Sequence, residues 1–237
     1  MKRFVPIANS DLSRRAAQPS AGGEAQTAAR PTAEPLKEPP MDMPDRYLYL
    51  DFQIDTNRIN SKANLSSMNI LERWDQEGVI HIDMAEVAQE EATKGRDSNR
   101  SRKAYGYIAT ETLASTADEA LLLKKIESIL FPVGAANRNE RNDVEIVFNA
   151  HKYGSILVTD DGGSRRQKGG ILGNRKNLAK LGIRIMRDRE AVDFIIKKIQ
   201  ERDERAKRIA IEFGKELPEW VGKDLDVLQG QVTKDGH

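Results

Sequence analysis

The chain has 237 residues, 38% of them hydrophobic and 32% charged, with a formal net charge of +1 and no cysteine. That length allows one domain of ordinary size with extensions, and the missing cysteine excludes disulfides, thiolate nucleophiles and cysteine zinc sites together. No apolar run approaches the roughly 20 residues that a membrane span needs, and the N-terminus carries no secretory apolar stretch, so the expected setting is cytoplasmic, away from the membrane.

Seven of the nine prolines lie in the first 45 residues, among Ala, Gln, Gly, Ser and Thr. Without an apolar period, residues 1–45 are expected to form a disordered segment. From Tyr47 to Ile54, Leu48, Leu50, Phe52 and Ile54 alternate with polar or aromatic neighbours, which predicts a strand. Leu65, Met68, Leu71 and Trp74 recur at helical spacing, Gly78 breaks the helix, and Val79 to Ile82 predicts a second strand. Met84 to Lys94 reads as helix, with Gly95 as its stop. Residues 96–140 hold a basic stretch and then a helix over Ala117 to Leu130, ended by Phe131-Pro132-Val133-Gly134. Asn139 stands where it can cap a helix running to Tyr153. Ser155 to Thr159 reads as a strand buried on both faces. Asn174 to Leu181 follows as helix, Ile183 to Met186 as strand, and Ala191 onward as a long charged helix ended by Leu217-Pro218. Strands alternating with helices predict an α/β domain with a mainly parallel central sheet over residues 46–200, with an insertion at 96–140. A charged C-terminal helix and tail takes residues 201–237, read either as a solvated helix or as an arm for a partner.

In open α/β sheets ligands bind beyond the carboxyl ends of the strands. Asp55 ends the first strand, and Asp160-Asp161 follow Thr159. Asp143 shares the core-facing stripe of its helix with Ile146, Val147 and Ala150, near the N-terminal end of the dipole. Glu91 lies on the inner side of its helix with Val87 and Ala88. Each acid alone reads equally well as a helix cap, a dipole partner or a rim charge. An inward carboxylate costs several kcal/mol unless it is paired or bound to a cation, so the four together predict a metal site. With no cysteine and no nearby histidine in sequence, an all-oxygen site suits Mg²⁺ or Mn²⁺. Asp51 and Asp160 stand beside Asp55 and Asp161, and at this point either exchange stays open.

From Tyr47 to Met186 the chain resembles the PIN-domain nucleases. The resemblance rests on a strand followed by Asp55-Thr56-Asn57, a helical Glu91 with Gly95 four residues on, Asn142-Asp143 in a helix, and a strand ending Thr159-x-Asp161. It implies a three-layer sandwich of the PIN type and a metal-dependent endoribonuclease. It carries over Asp55, Glu91, Asp143 and Asp161 as the acidic metal-binding cluster, with Thr159 and Asn57 as polar support. The family includes the toxins of toxin–antitoxin pairs, so an inhibitory protein partner is expected; a homodimer is a further expectation.

An acidic site needs a positive rim to draw RNA. Between Gly162 and Arg187 there are eight Lys or Arg residues and no Asp or Glu. Arg165, Arg166 and Lys168, in a glycine-rich stretch, and Arg175 and Lys176 after it are the expected contacts to single-stranded or tRNA-like RNA. A second patch, Lys94, Arg96, Arg100, Arg102 and Lys103 with Tyr105 and Tyr107, reads evenly as a strand-binding surface or a solvated loop. His81, His151 and His237 carry no chemistry in this reading, His151 being expected in a half-buried structural role. The competing function is a PIN-like module that binds RNA or a protein without cutting. A phosphatase of the haloacid dehalogenase type needs Asp-x-Asp, which Asp51 and Asp55 do not form, and no P-loop motif is present.

Overall fold

Parallel pairing around one central strand organises the chain. The computed structural model describes residues 42–162 and 169–231. Strand β1 (Asp51–Ile54) pairs in parallel with β2 (His81–Ala85) on one side and with β4 (Ile156–Val158) on the other. The sheet is completed by β3 (Ile108–Thr110) beside β2 and β5 (Ile185–Met186) beside β4, giving the order β3-β2-β1-β4-β5. The chain therefore leaves β1 toward one edge, then returns to the other side of β1, and the direction reverses between β1 and β4. That reversal opens a crevice at the carboxyl ends of these two strands.

The helices are α1 (Ser66–Gln76), α2 (Glu86–Thr93), α3 (Ser98–Tyr105), α4 (Ala117–Leu130), α5 (Arg138–Lys152), α6 (Gly170–Gly173), α7 (Arg175–Ala179) and α8 (Asp188–Phe213). Helix α1 packs on α8 and α4 on α5, so that the sheet is the middle of three layers, as expected. Phe52, Ile54, Trp74, Ile82, Phe148 and Ile156 are fully or almost fully buried between them. Among the described residues no helix is long and apolar enough to cross a membrane.

Several boundaries differ from the sequence reading. Strand β1 begins at Asp51 rather than Tyr47 because Tyr49 takes a left-handed backbone (φ 53°), which interrupts the ladder after Leu48 has donated to the Val79 carbonyl. Its hydroxyl donates to Asp45, and its ring meets that of Tyr47 edge-on. Helix α5 is capped by Asn137, whose side chain accepts from the Glu140 N–H, and not by Asn139. Within 96–140 the structure adds α3, capped by Asp97, and the edge strand β3. The expected disordered segment lies outside the described residues up to residue 41.

The residues after 200 continue α8 without a break, and Arg202, Asp203, Ala206 and Ile209 are buried. Helix α8 ends at Gly214 in the left-handed conformation. Beyond it Asp224, 1% exposed, accepts from Arg202 (2.8 Å) and from the Arg46 guanidinium (2.6 and 2.9 Å), while its carbonyl accepts from the Trp74 indole (2.7 Å). Trp220 covers the Arg202 guanidinium at 4.2 Å. The segment before β1, α1, α8 and the C-terminal turns thus meet at one residue, Asp224.

Inside the sheet layer, Gln53 and Asp83 are register partners on β1 and β2 and both are buried. The Gln53 amide donates to the Ile146 carbonyl of α5 (2.8 Å), whereas Gln53 Oε1 and Asp83 Oδ1 have no donor among the described residues. Burial holds the Asp83 carboxyl up at about 6.

Two outcomes follow from these buried groups. Asp224→Ala takes from Arg202 and Arg46 the carboxylate they share, leaving Arg202 with Asp203 and Arg46 with Glu77, and is expected to cost about 3 kcal/mol in urea unfolding. Asp83 has a folded pKa above its unfolded value, so its favourable contribution is present at low pH and is lost as pH rises through about 6. Asp83→Asn is therefore expected to exceed the wild type in stability at pH 8, on the order of 1–3 kcal/mol, with the gap closing toward pH 5; equal unfolding midpoints at both pH values would contradict it.

Candidate active site

The carboxyl end of β1 runs directly into a short 3-10 turn, Thr56–Arg58, and Asp55 is its cap. Asp55 is only 4% exposed, and its carboxylate accepts three short hydrogen bonds: from the Thr56 N–H, the Asn57 amide and the Thr159 hydroxyl, each 2.6 Å. Thr159, fully buried at the end of β4, is the hinge of this arrangement. Its hydroxyl donates to Asp55 and accepts from the Asp161 N–H (2.9 Å) and the Asn57 amide (3.2 Å). Asn57 in turn accepts from the Asp160 N–H (3.0 Å). Thr159 and Asn57 thus lace the ends of β1 and β4 together and leave Asp55 one rotamer.

Asp161 is seated from the other side. The Ile171 N–H, in α6, donates to its Oδ2 (2.8 Å), and the Leu172 N–H donates to its carbonyl (2.9 Å). This approach requires glycine at 170: a Cβ there would lie 2.4 Å from Asp161 Oδ2, at a φ of +71°. Glu91 comes from α2 and accepts from the Thr56 hydroxyl (3.3 Å). Asp143 comes from α5. Both are half-buried, as is Asp161.

The four acids sense one another. Burial first, and then the charges of Asp161 and Glu91, hold Asp55 up at about 6 against the three hydrogen bonds that pull it down. Burial, followed by the charges of Asp161, Asp55, Glu91 and Glu140, pushes Asp143 up to about 7. The site therefore binds protons that isolated carboxylates would have released. Yet among the described residues no three acidic or histidine side chains are close enough together to hold a metal ion. Asp55, Glu91 and Asp161 each turn an oxygen to a neighbouring donor. In donor type the cluster fits a hard divalent cation, since all its ligating atoms are carboxylate oxygens.

The two acids left as alternatives lie elsewhere. Asp51 is at the opposite end of β1 and accepts from the Tyr47 hydroxyl (2.9 Å). Asp160 is exposed and turns to Arg187 and to Arg58 (3.6 Å).

The expected basic residues are distributed unevenly. Arg165, Arg166 and Lys168 lie outside the described residues. Arg175 holds Glu190 (2.9 and 3.0 Å), and Lys176 is exposed beside it on α7. In the second patch, Lys103 and the Tyr107 hydroxyl both bind Glu72, and Lys94 pairs with Glu90, which leaves Arg96, Arg100, Arg102 and the exposed Tyr105. His151 is exposed rather than half-buried. The sequence reading missed Thr56 as the donor to Glu91 and Gly170 as the seat of Asp161. The first was legible only as part of Asp-Thr-Asn; the second had no sequence signal beyond a glycine pair.

No family model matches the chain, and no curated protein matches it in sequence. Among solved structures the chain is similar to VapBC2 from Rickettsia felis bound to a DNA fragment from their promoter, with a TM-score of 0.38 and 15% identity over 58% of this chain and 98% of the matched one. It is also similar to VapBC-1 from nontypeable Haemophilus influenzae, with a TM-score of 0.39 and 17% identity over 59% of this chain and 98% of the matched one.

The raised values at Asp55 and Asp143 have a defined sign. Both groups bind their protons more tightly folded than unfolded, so metal-free stability is greatest at low pH and is lost as pH rises through about 6 and about 7. In EDTA the thermal midpoint is expected to fall between pH 5.5 and pH 8, and Asp143→Asn is expected to flatten that slope and to melt higher at pH 8. A slope unchanged by the substitution would mean that Asp143 does not share the repulsion.

Proposed function

We propose that the chain is a PIN-type, metal-dependent endoribonuclease. The observation that carries the proposal is the mutual repulsion of four acids drawn from four separate elements to the carboxyl ends of β1 and β4. Asp55 follows β1, Glu91 lies in α2, Asp143 in α5, and Asp161 after β4. Folding tolerates such repulsion poorly unless a ligand uses it.

In this reading Asp55, Glu91, Asp143 and Asp161 hold Mg²⁺ or Mn²⁺, and a bound ion of that kind supplies an acidified water and neutralises charge on a phosphodiester. The chain's own residues do the positioning. Thr159 and Asn57 fix Asp55 by hydrogen bonds to its Oδ2 while the Thr56 N–H holds Oδ1, and the Thr56 hydroxyl orients Glu91. The backbone at Gly170 and Ile171 fixes Asp161. Asp143, whose proton affinity burial raises, would give up that proton to serve as a ligand of the ion. Lys176, with Arg165, Arg166 and Lys168, supplies positive charge for the RNA, and Arg175 joins them when it leaves Glu190. We extend the proposal to action in the cytoplasm and to restraint by an inhibitory protein partner. A second reading, a module that binds RNA or protein without cutting, draws on the separation of the acids beyond ligand distance.

The test is cleavage of mixed single-stranded RNA and tRNA with Mg²⁺, Mn²⁺ or EDTA. Cutting is expected with either ion, none in EDTA, and a loss on the order of 10²-fold or more in Asp143→Asn. Thr159→Val, which touches the ligands and not the ion, is expected to lose about 10–100-fold. Salt-sensitive RNA binding with no cutting by the wild type would favour the module.

A further inference from the structure

Helix α3 begins at Asp97, whose carboxylate accepts from the Asn99 and Arg100 N–H groups (3.0 and 3.1 Å). The half-buried Arg100 side chain extends from it to the Thr56 carbonyl, with Nη2 at 2.9 Å. Thr56 is the residue whose N–H holds Asp55 and whose hydroxyl meets Glu91, so the guanidinium stands one residue away from two of the four acids. The Thr56 carbonyl already accepts from the Ile59 N–H (3.4 Å), so it would not be orphaned without Arg100.

Neighbouring cations are occupied in a different way. Arg58 and Arg187 turn to Asp160, Lys103 to Glu72, and Arg175 to Glu190. Arg100 makes no ion pair among the described residues, and the bond to Thr56 uses one of the five N–H donors of its fork. A half-buried arginine without a carboxylate, beside a cluster of carboxylates that it does not neutralise, is arranged to receive an anion from outside. The planar fork matches two oxygens of a phosphate.

Resting on the nuclease reading above, we propose that Arg100 is a substrate-binding residue that grips a phosphate of single-stranded RNA next to the scissile bond. It does this from α3, beside Thr56. The acids repel the RNA backbone, and Arg100 offsets that repulsion at the one place where the strand must come close to them.

The experiment measures anisotropy of a short labelled single-stranded RNA bound to the wild type, Arg100→Ala and Arg100→Lys. Each is titrated with KCl, in EDTA and again with Ca²⁺, beside thermal melts of all three. Arg100→Ala is expected to bind about tenfold more weakly and to lower the slope of log affinity against log salt by about 0.7, the value for one phosphate contact on a single strand. Arg100→Lys should keep the slope, because it keeps the charge, and bind with intermediate affinity. If Arg100→Ala binds with unchanged affinity and slope, the proposal fails, whatever its melting point, and cleavage by the wild type would then show that the nuclease reading stands without it. An Arg100-dependent slope in a wild type that never cuts would retire the nuclease reading and keep the phosphate contact. A wild type that binds no RNA under either condition overturns the proposal.

Discussion

Four carboxylates brought to one end of a sheet repel, and the rest of the site exists to hold them there. Hydrogen bonds carry that load where charge cannot. Asp55 receives three donors, Thr159 bridges the ends of β1 and β4, and α6 offers its backbone to Asp161. The parallel pairing of β1 with β4 is what allows it, because only there do two strand ends with opposite crossover directions lie side by side. Among the described residues Asp143 has no comparable set of donors, and burial pushes its carboxyl up to about 7.

A second charged system has the opposite logic. In it two arginines meet two carboxylates: Asp224 takes Arg46 and Arg202, Asp203 takes Arg202 and the Gly222 N–H, and Trp220 covers Arg202. Here charge is closed on itself, as buried ion pairs must be if they are not to destabilise the fold. It fixes α8 to α1 and to the segment entering β1, so the strand that carries Asp55 is anchored from behind.

The acids at strand ends were legible because strand ends are: Phe52 and Ile54 alternate up to Asp55, and an apolar run stops at Thr159. Glu91 and Asp143 were legible through helical spacing to Val87, Ala88, Ile146 and Val147. What the sequence hid has physical reasons. Strand β3 is three residues long with two of them exposed, so it has no period to read. Tyr49 is a good strand residue locally, and its left-handed backbone depends on the partner that its hydroxyl finds. Two asparagines two residues apart are equally good caps, and only the Glu140 N–H selects Asn137. Residues 201–237 read as a solvated helix or a partner arm because Arg202, Asp203 and Asp224, with Arg46, neutralise one another only after folding. Arg100 was visible as one of several cations; that it stands by Thr56 is a tertiary fact.

The glycines beside Asp161 separate two kinds of change. A Cβ on Gly162 would lie 1.9 Å from the Gly169 carbonyl, so the backbone closes on itself there before α6 begins. A side chain at Gly162 or at Gly170 would therefore part the two backbone stretches and draw the Ile171 N–H away from Asp161, so a change far smaller than the loss of a charge would unseat that acid.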